Sequence, residues 1–127
     1  MKVRWTNSSV RFRITPAELD AITAETEVVS NLTIPGGGGW QAAITCGSER
    51  SQIAFRNGRV EMALSHDHRI LLAAPQTEGV YCTAPDDVTF RYYIEKDFPC
   101  AHPRAAEAWE EPTNTFPAPR ILTHDIP

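Results

Sequence analysis

The feature that most constrains this chain is a strand–cap–helix pattern that occurs twice, fifty residues apart. The pattern is three alternating apolar residues followed by a hydroxyl residue, namely Val10, Phe12, Ile14 and Thr15, then Val60, Met62, Leu64 and Ser65. Alternation with period two indicates a half-buried strand, and the hydroxyl residue is a good helix N-cap. Two further strand-like segments follow each copy. The repeat predicts an α+β fold from a duplicated β-α-β-β unit, with one largely antiparallel sheet of about eight strands and two short helices on one face.

Local signals place the individual elements. The sequence Thr15-Pro16-Ala17-Glu18 has the cap, the proline and the glutamate of a capping box, so a helix is predicted from Pro16 to about Ala24. Ser65 predicts a second short helix that ends near Pro75. Asn57-Gly58 is typical of a two-residue hairpin turn. Alternating apolar residues predict strands at 2–6, 10–14, 27–34, 40–46, 52–56, 59–64, 79–83 and 88–95.

Length and composition bound the class of protein. A chain of 127 residues with 42% hydrophobic and 22% charged residues fits one globular domain and excludes a disordered chain. Residues 1–98 are expected to form this α+β domain, and residues 99–127, with six of the ten prolines, an acidic C-terminal extension. The apolar runs are too short for a membrane-spanning helix, and no hydrophobic leader is present, so a cytoplasmic location is expected.

Charge is unevenly distributed between the two sides of the predicted strands. The strand phases place an excess of cations opposite the core: Lys2, Arg4, Arg11, Arg13, Arg56, Arg59 and Arg91, against Glu27, Glu61 and Glu95. Tyr81 and Tyr93 share this phase. The pattern predicts a small binding module whose arginine-lined sheet face takes an anionic ligand or an acidic protein. The net charge of −4 argues against nucleic acid as the partner.

Other interpretations of this face stay open. The acidic C-terminal segment, with Glu107, Glu110 and Glu111, is a second candidate to cover it. An ordinary solvated sheet face with cross-strand Arg–Glu pairs is the third. No membrane contact is expected, and the chain is compatible with a monomer or a homodimer.

An enzyme is the alternative function class. Cys100 would act as nucleophile, His102 as base and Lys96 as electrostatic support, because a nearby cation lowers the pKa of a thiol. A metal site would instead combine Cys100 and His102 with His66 and His68, although neither pair has a recognised metal spacing. The simplest interpretation has Cys100 packed under the C-terminal segment and the histidines solvated.

The remaining motifs indicate no cofactor. Cys46 and Cys82 fall in the apolar phase of their strands and are expected to behave as small buried hydrophobes. Three widely spaced cysteines do not suggest a disulfide framework. Residues 36–39 are four glycines, but no Lys-Ser/Thr follows them and Trp40 begins a strand, so they predict a loop, not a phosphate cradle.

Three segments carry a resemblance to a known family. These are Met1-Lys2-Val3-Arg4 with the strand 10–14, the motif Ile94-Glu95-Lys96-Asp97-Phe98-Pro99-Cys100, and the closing Phe116-Pro117-Ala118-Pro119. The chain resembles a bacterial family of unknown function that has a Met-Lys-x-Arg strand, an Arg-x-Arg strand and a Glu-Lys-Asp-Phe-x-Cys motif. Alanine stands here where that family's closing element has asparagine. The resemblance implies a single domain and supplies no mechanism.

Overall fold

A computed structural model describes residues 1–98 of the chain. It contains eight strands, β1 (Lys2–Thr6), β2 (Ser9–Ile14), β3 (Val28–Thr33), β4 (Gly39–Ser48), β5 (Gln52–Arg56), β6 (Arg59–Ser65), β7 (Gly79–Thr83) and β8 (Arg91–Lys96), and two helices, α1 (Pro16–Thr23) and α2 (His66–Ala73). The predicted α+β class, the two short helices and the eight strands are confirmed. The predicted C-terminal extension lies outside the described residues.

The strands form two four-stranded mixed sheets, so the prediction of one largely antiparallel sheet is wrong. Sheet 1 has the order β1-β2-β8-β7, and sheet 2 has the order β3-β4-β6-β5. The outer pairs of each sheet are antiparallel hairpins, whereas the central pairs, β2 with β8 and β4 with β6, are parallel. Alternation in the sequence indicates which side of a strand faces the core. It does not indicate which distant strand becomes its neighbour, because parallel pairs need long crossover connections.

The pairing registers repeat with the same fifty-residue offset as the sequence pattern. In the hairpins, Val3 lies opposite Phe12 and Ile53 lies opposite Met62. In the parallel pairs, Val10 lies opposite Tyr92, and its counterpart Val60 lies opposite Ala42. Each sheet therefore takes one hairpin from each half of the chain, and the two halves (residues 2–48 and 52–96) are interleaved.

The two sheets enclose one hydrophobic core. Its fully buried members come from both sheets and both helices and include Phe12, Ile14, Ile22, Ile44, Met62, Leu64, Leu72, Val80 and Ile94. The two helices contact each other, and α2 also contacts β4, β6 and β7. Because side chains on a strand alternate between its faces, the inner face of each sheet is apolar and the outer face carries the charged residues.

Both helices begin where their caps were predicted. At the start of α1, the backbone N–H of Glu18 donates to Thr15 Oγ1, and Glu18 Oε1 accepts from the backbone N–H of Thr15. At the start of α2, Ser65 Oγ accepts from the backbone N–H of His68. These bonds satisfy amides that the first helical turn leaves without intrahelical partners.

The last strand begins at Arg91, three residues later than predicted. The backbone N–H of Thr89 donates to the Asp87 carboxylate, and the N–H of Ala84 donates to the carbonyl of Phe90. These bonds form a turn, so Val88 lies in it with 71% of its surface exposed. The alternation of apolar and polar residues extends into this turn, so it predicted too early a start for the strand. The Asp87 side chain sets the geometry of the turn. Within residues 1–98, no helix is long and apolar enough to cross a membrane.

Candidate functional site

An open cleft separates the hairpin β1–β2 from the hairpin β5–β6. Its volume is about 590 Å³. Four aromatic side chains line it, together with Val10 and Val60 at the buried end: Trp5, Trp40, Phe55 and Phe90. We call this the aromatic cleft.

The lining of the aromatic cleft follows the internal repeat. Trp5 and Phe55 are separated by fifty residues and lie opposite Val10 and Val60 in equivalent hairpins. Trp40 and Phe90 are also fifty residues apart, each directly before the segment that pairs in parallel with the other half. Both members of each pair therefore line one cavity.

The walls of the cleft are apolar and accessible. Trp5 is 64% exposed and Phe55 is 67% exposed. The Trp5 ring meets Trp40 edge-on, with ring centroids 5.4 Å apart and planes at 80°. A buried aromatic side chain removes about 150–250 Å² from water, at about 25 cal/mol per Å². A ligand that covered both exposed rings would therefore gain several kcal/mol.

A second, polar cavity lies next to the cleft on the outer face of sheet 2. Its volume is about 820 Å³, and its polar lining is Asn31, Thr33, Gln41, Arg56, Asn57, Arg59 and Glu61. We call it the polar cradle. Trp40 and Ala54 line both the cradle and the aromatic cleft. The two cavities are therefore adjacent, with Trp40 in the wall of both.

Arg59 is held by a dense set of acceptors in the cradle. Its Nε and Nη2 donate to Glu61 Oε1 at 3.0 and 2.8 Å, and its Nη1 donates to Gln41 Oε1 at 2.6 Å. Glu27 Oε2 lies 3.1 Å from Nη2. The hydrogen bonds to Glu27 and Glu61 raise the pKa of Arg59. This guanidinium is fixed in place, and its charge is countered by two carboxylates.

Arg56 differs from Arg59 although the two lie directly opposite in the β5–β6 register. Arg56 is exposed, and within residues 1–98 it forms no ion pair. Like charges opposite each other on a sheet are unfavourable unless they are countered. Arg56 is therefore the cation of the cradle that is available to an external anion.

The other expected binding arginines lie on sheet 1, so the single arginine-lined face expected from the sequence is divided between two sheets. The register places one set of residues on the outer face of sheet 1: Arg4, Arg11, Arg13, Tyr81, Arg91, Tyr93 and Glu95. Their position on one face agrees with the alternation of residues that the sequence showed along these strands. Arg11 was expected to be exposed, but only 3% of its surface is accessible.

A buried carboxylate organises this outer face. Glu95 is 0% exposed; its Oε1 lies 3.6 Å from Arg11 Nη1 and 3.9 Å from Arg13 Nε. The Tyr81 hydroxyl donates to Glu95 Oε2 at 3.0 Å. Burial and the nearby Glu95 carboxylate raise the pKa of Tyr81, so this hydroxyl stays protonated and keeps donating. The cluster has the form of a buried ion-pair network that is strong only while all partners remain.

A polar cluster at the start of α2 was not found from the sequence. Ser51 Oγ lies 2.6 Å from His68 Nδ1 and accepts from the backbone N–H of Ser65 at 3.0 Å. The Tyr92 hydroxyl donates to the Ser51 carbonyl, and Cys82 Sγ lies 3.8 Å from His68 Nδ1. Burial raises the pKa of the Cys82 thiol, and burial likewise raises the pKa of Tyr92 to about 12. These contacts tie the segment before β5 to the start of α2.

The residues of the enzyme and metal alternatives are placed only in part. Cys100 and His102 lie outside the described residues. Burial lowers the pKa of Lys96, whose Nζ donates to the carbonyl of Ala74 at 2.7 Å. His66 Nδ1 lies 3.1 Å from an Arg69 guanidinium nitrogen, whereas His68 contacts Ser51.

Metal ligands and free thiols can be assessed only over the described part of the chain. Within it, no group of three or more histidine, cysteine, aspartate or glutamate side chains could hold a metal ion. Cys46 and Cys82 are free thiols packed against the core. Cys46 Sγ donates to the carbonyl of Ile22 at 3.6 Å, and burial raises its pKa.

Fold and site together define an α+β domain of two interleaved four-stranded sheets, with an aromatic cleft beside a polar cradle. The sequence matches a family profile over residues 1–120, and the chain belongs to this family, a family of unknown function (DUF7009). The expected membership of a family of unknown function is thereby confirmed. No curated protein and no solved structure shows significant similarity to the chain.

Proposed function

We propose that this protein is a binding module for a ligand that carries an aromatic or apolar group next to an anionic group. The aromatic group occupies the aromatic cleft, and the anion meets Arg56 in the polar cradle. The observation that carries the proposal is that Trp40 lines both cavities, so that one small molecule or peptide side chain can reach both.

The exposed rings support the apolar half of the ligand. Trp5 and Phe55 lie on two hairpins that are anchored at the cleft floor by the buried Val10 and Val60. Concave apolar sites with a few polar groups at the margin are the usual form of a small-ligand pocket. The T-shaped contact of Trp5 with Trp40 holds part of the wall in place before a ligand arrives.

Charge supports a ligand with a single anionic group. Glu27 and Glu61 counter Arg59, and Arg56 is the cation of the cradle that forms no ion pair within residues 1–98. A polyanion would meet those two carboxylates and a chain with net charge −4. Of the arginines that the sequence predicted to bind an anion, Arg56 and Arg59 remain in the proposed site. Arg56 contacts the anion, and Arg59 holds the polar side chains of the cradle in position. We assign a structural role in sheet 1 to the other four arginines, Arg4, Arg11, Arg13 and Arg91.

Three related interpretations accompany this proposal. The repeated registers support descent from a duplicated unit, and the free thiols Cys46 and Cys82 support a reducing, cytoplasmic location. Binding without catalysis is the function we favour. An enzyme that uses Cys100, His102 and Lys96 stays a prediction.

Two fluorescent probes test the proposal. Anilinonaphthalene sulfonate has an apolar ring system and one sulfonate, and phenylnaphthylamine has the same rings without the charge. We expect the sulfonate to bind with one equivalent per chain. Phe55→Ala should weaken both probes about tenfold, equivalent to about 1.4 kcal/mol. Arg56→Gln should weaken the binding of the sulfonate alone. This loss of affinity should become smaller as salt is added, because salt screens the charge–charge attraction.

Matched controls exclude general effects. Val88 is an exposed apolar residue outside the cleft, and Arg50 is an exposed arginine outside the cradle. Val88→Ala and Arg50→Gln should leave both affinities unchanged. Equal affinities for the parent, Phe55→Ala and Arg56→Gln proteins would overturn the proposal.

A further inference from the structure

We propose that the ligand of the aromatic cleft and the polar cradle is an extended peptide segment of a partner protein, which adds as a further strand to sheet 2 along β5. The segment has a large apolar residue opposite Phe55 and, next to it in sequence, an acidic residue opposite Arg56. This inference rests on the proposed function and specifies the chemical class of its ligand.

The strand β5 lies at the edge of sheet 2. Within residues 1–98 it pairs with β6 alone. All five of its residues are exposed or half-buried, so its free edge is accessible. An edge strand presents unpaired N–H and C=O groups, which form a template for pairing with another chain.

The register of the β5–β6 hairpin shows which backbone groups face this edge. Asn57-Gly58 is a two-residue turn, so the residues that flank it, Arg56 and Arg59, form a hydrogen-bonded pair. Hydrogen-bonded and non-hydrogen-bonded pairs alternate along an antiparallel ladder. The next pair, which contains Phe55, and the pair that contains Ile53 two residues further on are therefore the non-hydrogen-bonded type. The N–H and C=O groups of Phe55 and Ile53 point away from β6 and towards the free edge.

The side chains of β5 divide between the two cavities. Ile53 and Phe55 line the aromatic cleft, Arg56 lines the polar cradle, and Ala54 lines both. Paired residues on neighbouring strands have their side chains on the same face of the sheet, and successive residues alternate between the faces. A ligand residue opposite Phe55 therefore lies on the cleft side, and its neighbour opposite Arg56 lies on the cradle side. Peptides that add to a sheet edge are recognised in this way, by main-chain bonds and by pockets for alternate side chains.

The charges at this edge favour an acidic residue opposite Arg56. Arg56 is exposed and forms no ion pair within residues 1–98, and its partner on β6 is a second arginine, Arg59. Opposite charges at paired positions of neighbouring strands stabilise a sheet. Because Glu27 and Glu61 already counter Arg59, one carboxylate on the open side of β5 is sufficient.

The equivalent edge in the first half of the chain lacks this combination. β1 is an edge strand of sheet 1, and Trp5 has the position there that Phe55 has in β5. The counterpart of Arg56 is Thr6, whose hydroxyl is hydrogen-bonded to that of Ser9 at 2.6 Å. An acidic strand finds no arginine at that position, so we assign the peptide to β5 and use β1 as the reference edge.

Amide exchange of the full chain, measured for each residue by nuclear magnetic resonance, tests the backbone contact. The probe is the end-blocked peptide Thr-Thr-Phe-Glu-Phe-Thr-Thr, which reads the same in both directions and carries one carboxylate. In the saturated complex, the amides of Ile53 and Phe55 should exchange at least about tenfold more slowly than in the free chain, because strand pairing protects them. The amides of Val3 and Trp5, at the equivalent positions of β1, should exchange as before. Unchanged exchange of Ile53 and Phe55 in the saturated complex would overturn the proposal.

Two changed peptides test the two kinds of contact separately. N-methylation of the three central amides keeps the side chains and removes the main-chain donors, and it should weaken binding at least about tenfold. Replacing the glutamate of the peptide by glutamine should weaken binding to the parent protein and to Arg50→Gln, but not to Arg56→Gln. A glutamine peptide that binds the parent protein as tightly as the glutamate peptide would overturn the acidic half of the ligand.

Failure of this inference is distinguishable from failure of the proposed function. If the methylated peptide binds as tightly as the unmodified one, or if neither binds while anilinonaphthalene sulfonate binds with the expected dependence on Phe55 and Arg56, the inference is wrong and the proposed function stands. If the sulfonate binds the parent, Phe55→Ala and Arg56→Gln proteins equally, the proposed function itself is wrong.

Discussion

Trp5 and Phe55 occupy equivalent positions in the two halves of the chain and line the same open cleft. Each ring lies on an edge strand, and each strand pairs with a neighbour whose valine closes the floor of the cleft. Sheet interleaving brings the two together, because each sheet contains one hairpin from each half. The two accessible rings therefore have the same register position, each opposite a valine, in the two hairpins.

Exposed aromatics that serve binding should contribute little to stability. We predict that Phe55→Ala changes the free energy of unfolding by less than about 0.5 kcal/mol, since most of the ring is in solvent. Phe12→Ala, at a fully buried position of the neighbouring sheet, should cost about 3–5 kcal/mol. Urea unfolding of both variants is the measurement. A Phe55→Ala cost as large as that of Phe12→Ala would show that the ring is part of the core.

Removing the buried carboxylate of Glu95 should be costly. Glu95→Ala leaves Arg11 and Arg13 close together without their shared counter-charge, and we predict a loss of about 3–5 kcal/mol. The control is Glu27→Ala, which removes an accessible partner of Arg59 and should cost less than about 1 kcal/mol. Similar losses for both variants in urea unfolding would contradict the assignment of Glu95 as the organising group.

The elements and caps of this fold were largely readable from the sequence, because they depend on local chemistry. Alternating apolar residues indicate strands, and Thr15 with Glu18 specifies the start of α1. The division into two sheets was not readable. It depends on the pairing of β2 with β8 and of β4 with β6. These strands are distant in sequence, and the alternation of apolar residues along a strand does not indicate which strand pairs with it.

The candidate site was predicted only in part for a related reason. The strand phase correctly grouped Arg11, Arg13 and Arg91, but alternation assigns polar residues to solvent and gives no sign that Arg11 and Glu95 are buried. The aromatic cleft was missed, although a signal was present. Trp5 with Phe55, and Trp40 with Phe90, have the same fifty-residue offset as the apolar repeat.

The ion pair between the N-terminal ammonium and Glu18 should give stability a specific pH dependence. Burial by itself raises the pKa of Glu18, but its bonds to the Met1 ammonium, 2.7 Å away, and to Thr15 outweigh this and lower the pKa below 4.5. A lowered folded-state pKa stabilises the fold above pH 4.5, and this contribution is lost as pH falls through the folded value.

We therefore predict that Glu18→Gln lowers the melting temperature at pH 7 and that the difference from the parent shrinks below pH 4.5. Asp20→Asn, an exposed change on the same helix, is the control. A difference that persists unchanged at low pH would contradict the ion pair as its cause.

Thiol reactivity should separate the cysteines. Burial raises the pKa of Cys46 and of Cys82, so their thiolate fractions are small at pH 7.5 or so. In Cys100→Ser protein, we expect a disulfide-exchange reagent to react slowly with both thiols and rapidly once urea unfolds the chain. Fast reaction of the native variant would contradict the packed environment of these side chains. In the parent protein, Cys100 is predicted to react first.

The indole N–H signals of the three tryptophans provide the most direct test of the binding cleft. Trp5 and Trp40 line the cleft, whereas Trp109 belongs to the C-terminal segment and serves as the internal reference. On titration of the full chain with anilinonaphthalene sulfonate, we predict that the Trp5 and Trp40 signals shift together and saturate at one equivalent. The Trp109 signal should keep its position. Saturable binding that leaves both the Trp5 and Trp40 signals unchanged would contradict the cleft as the ligand site.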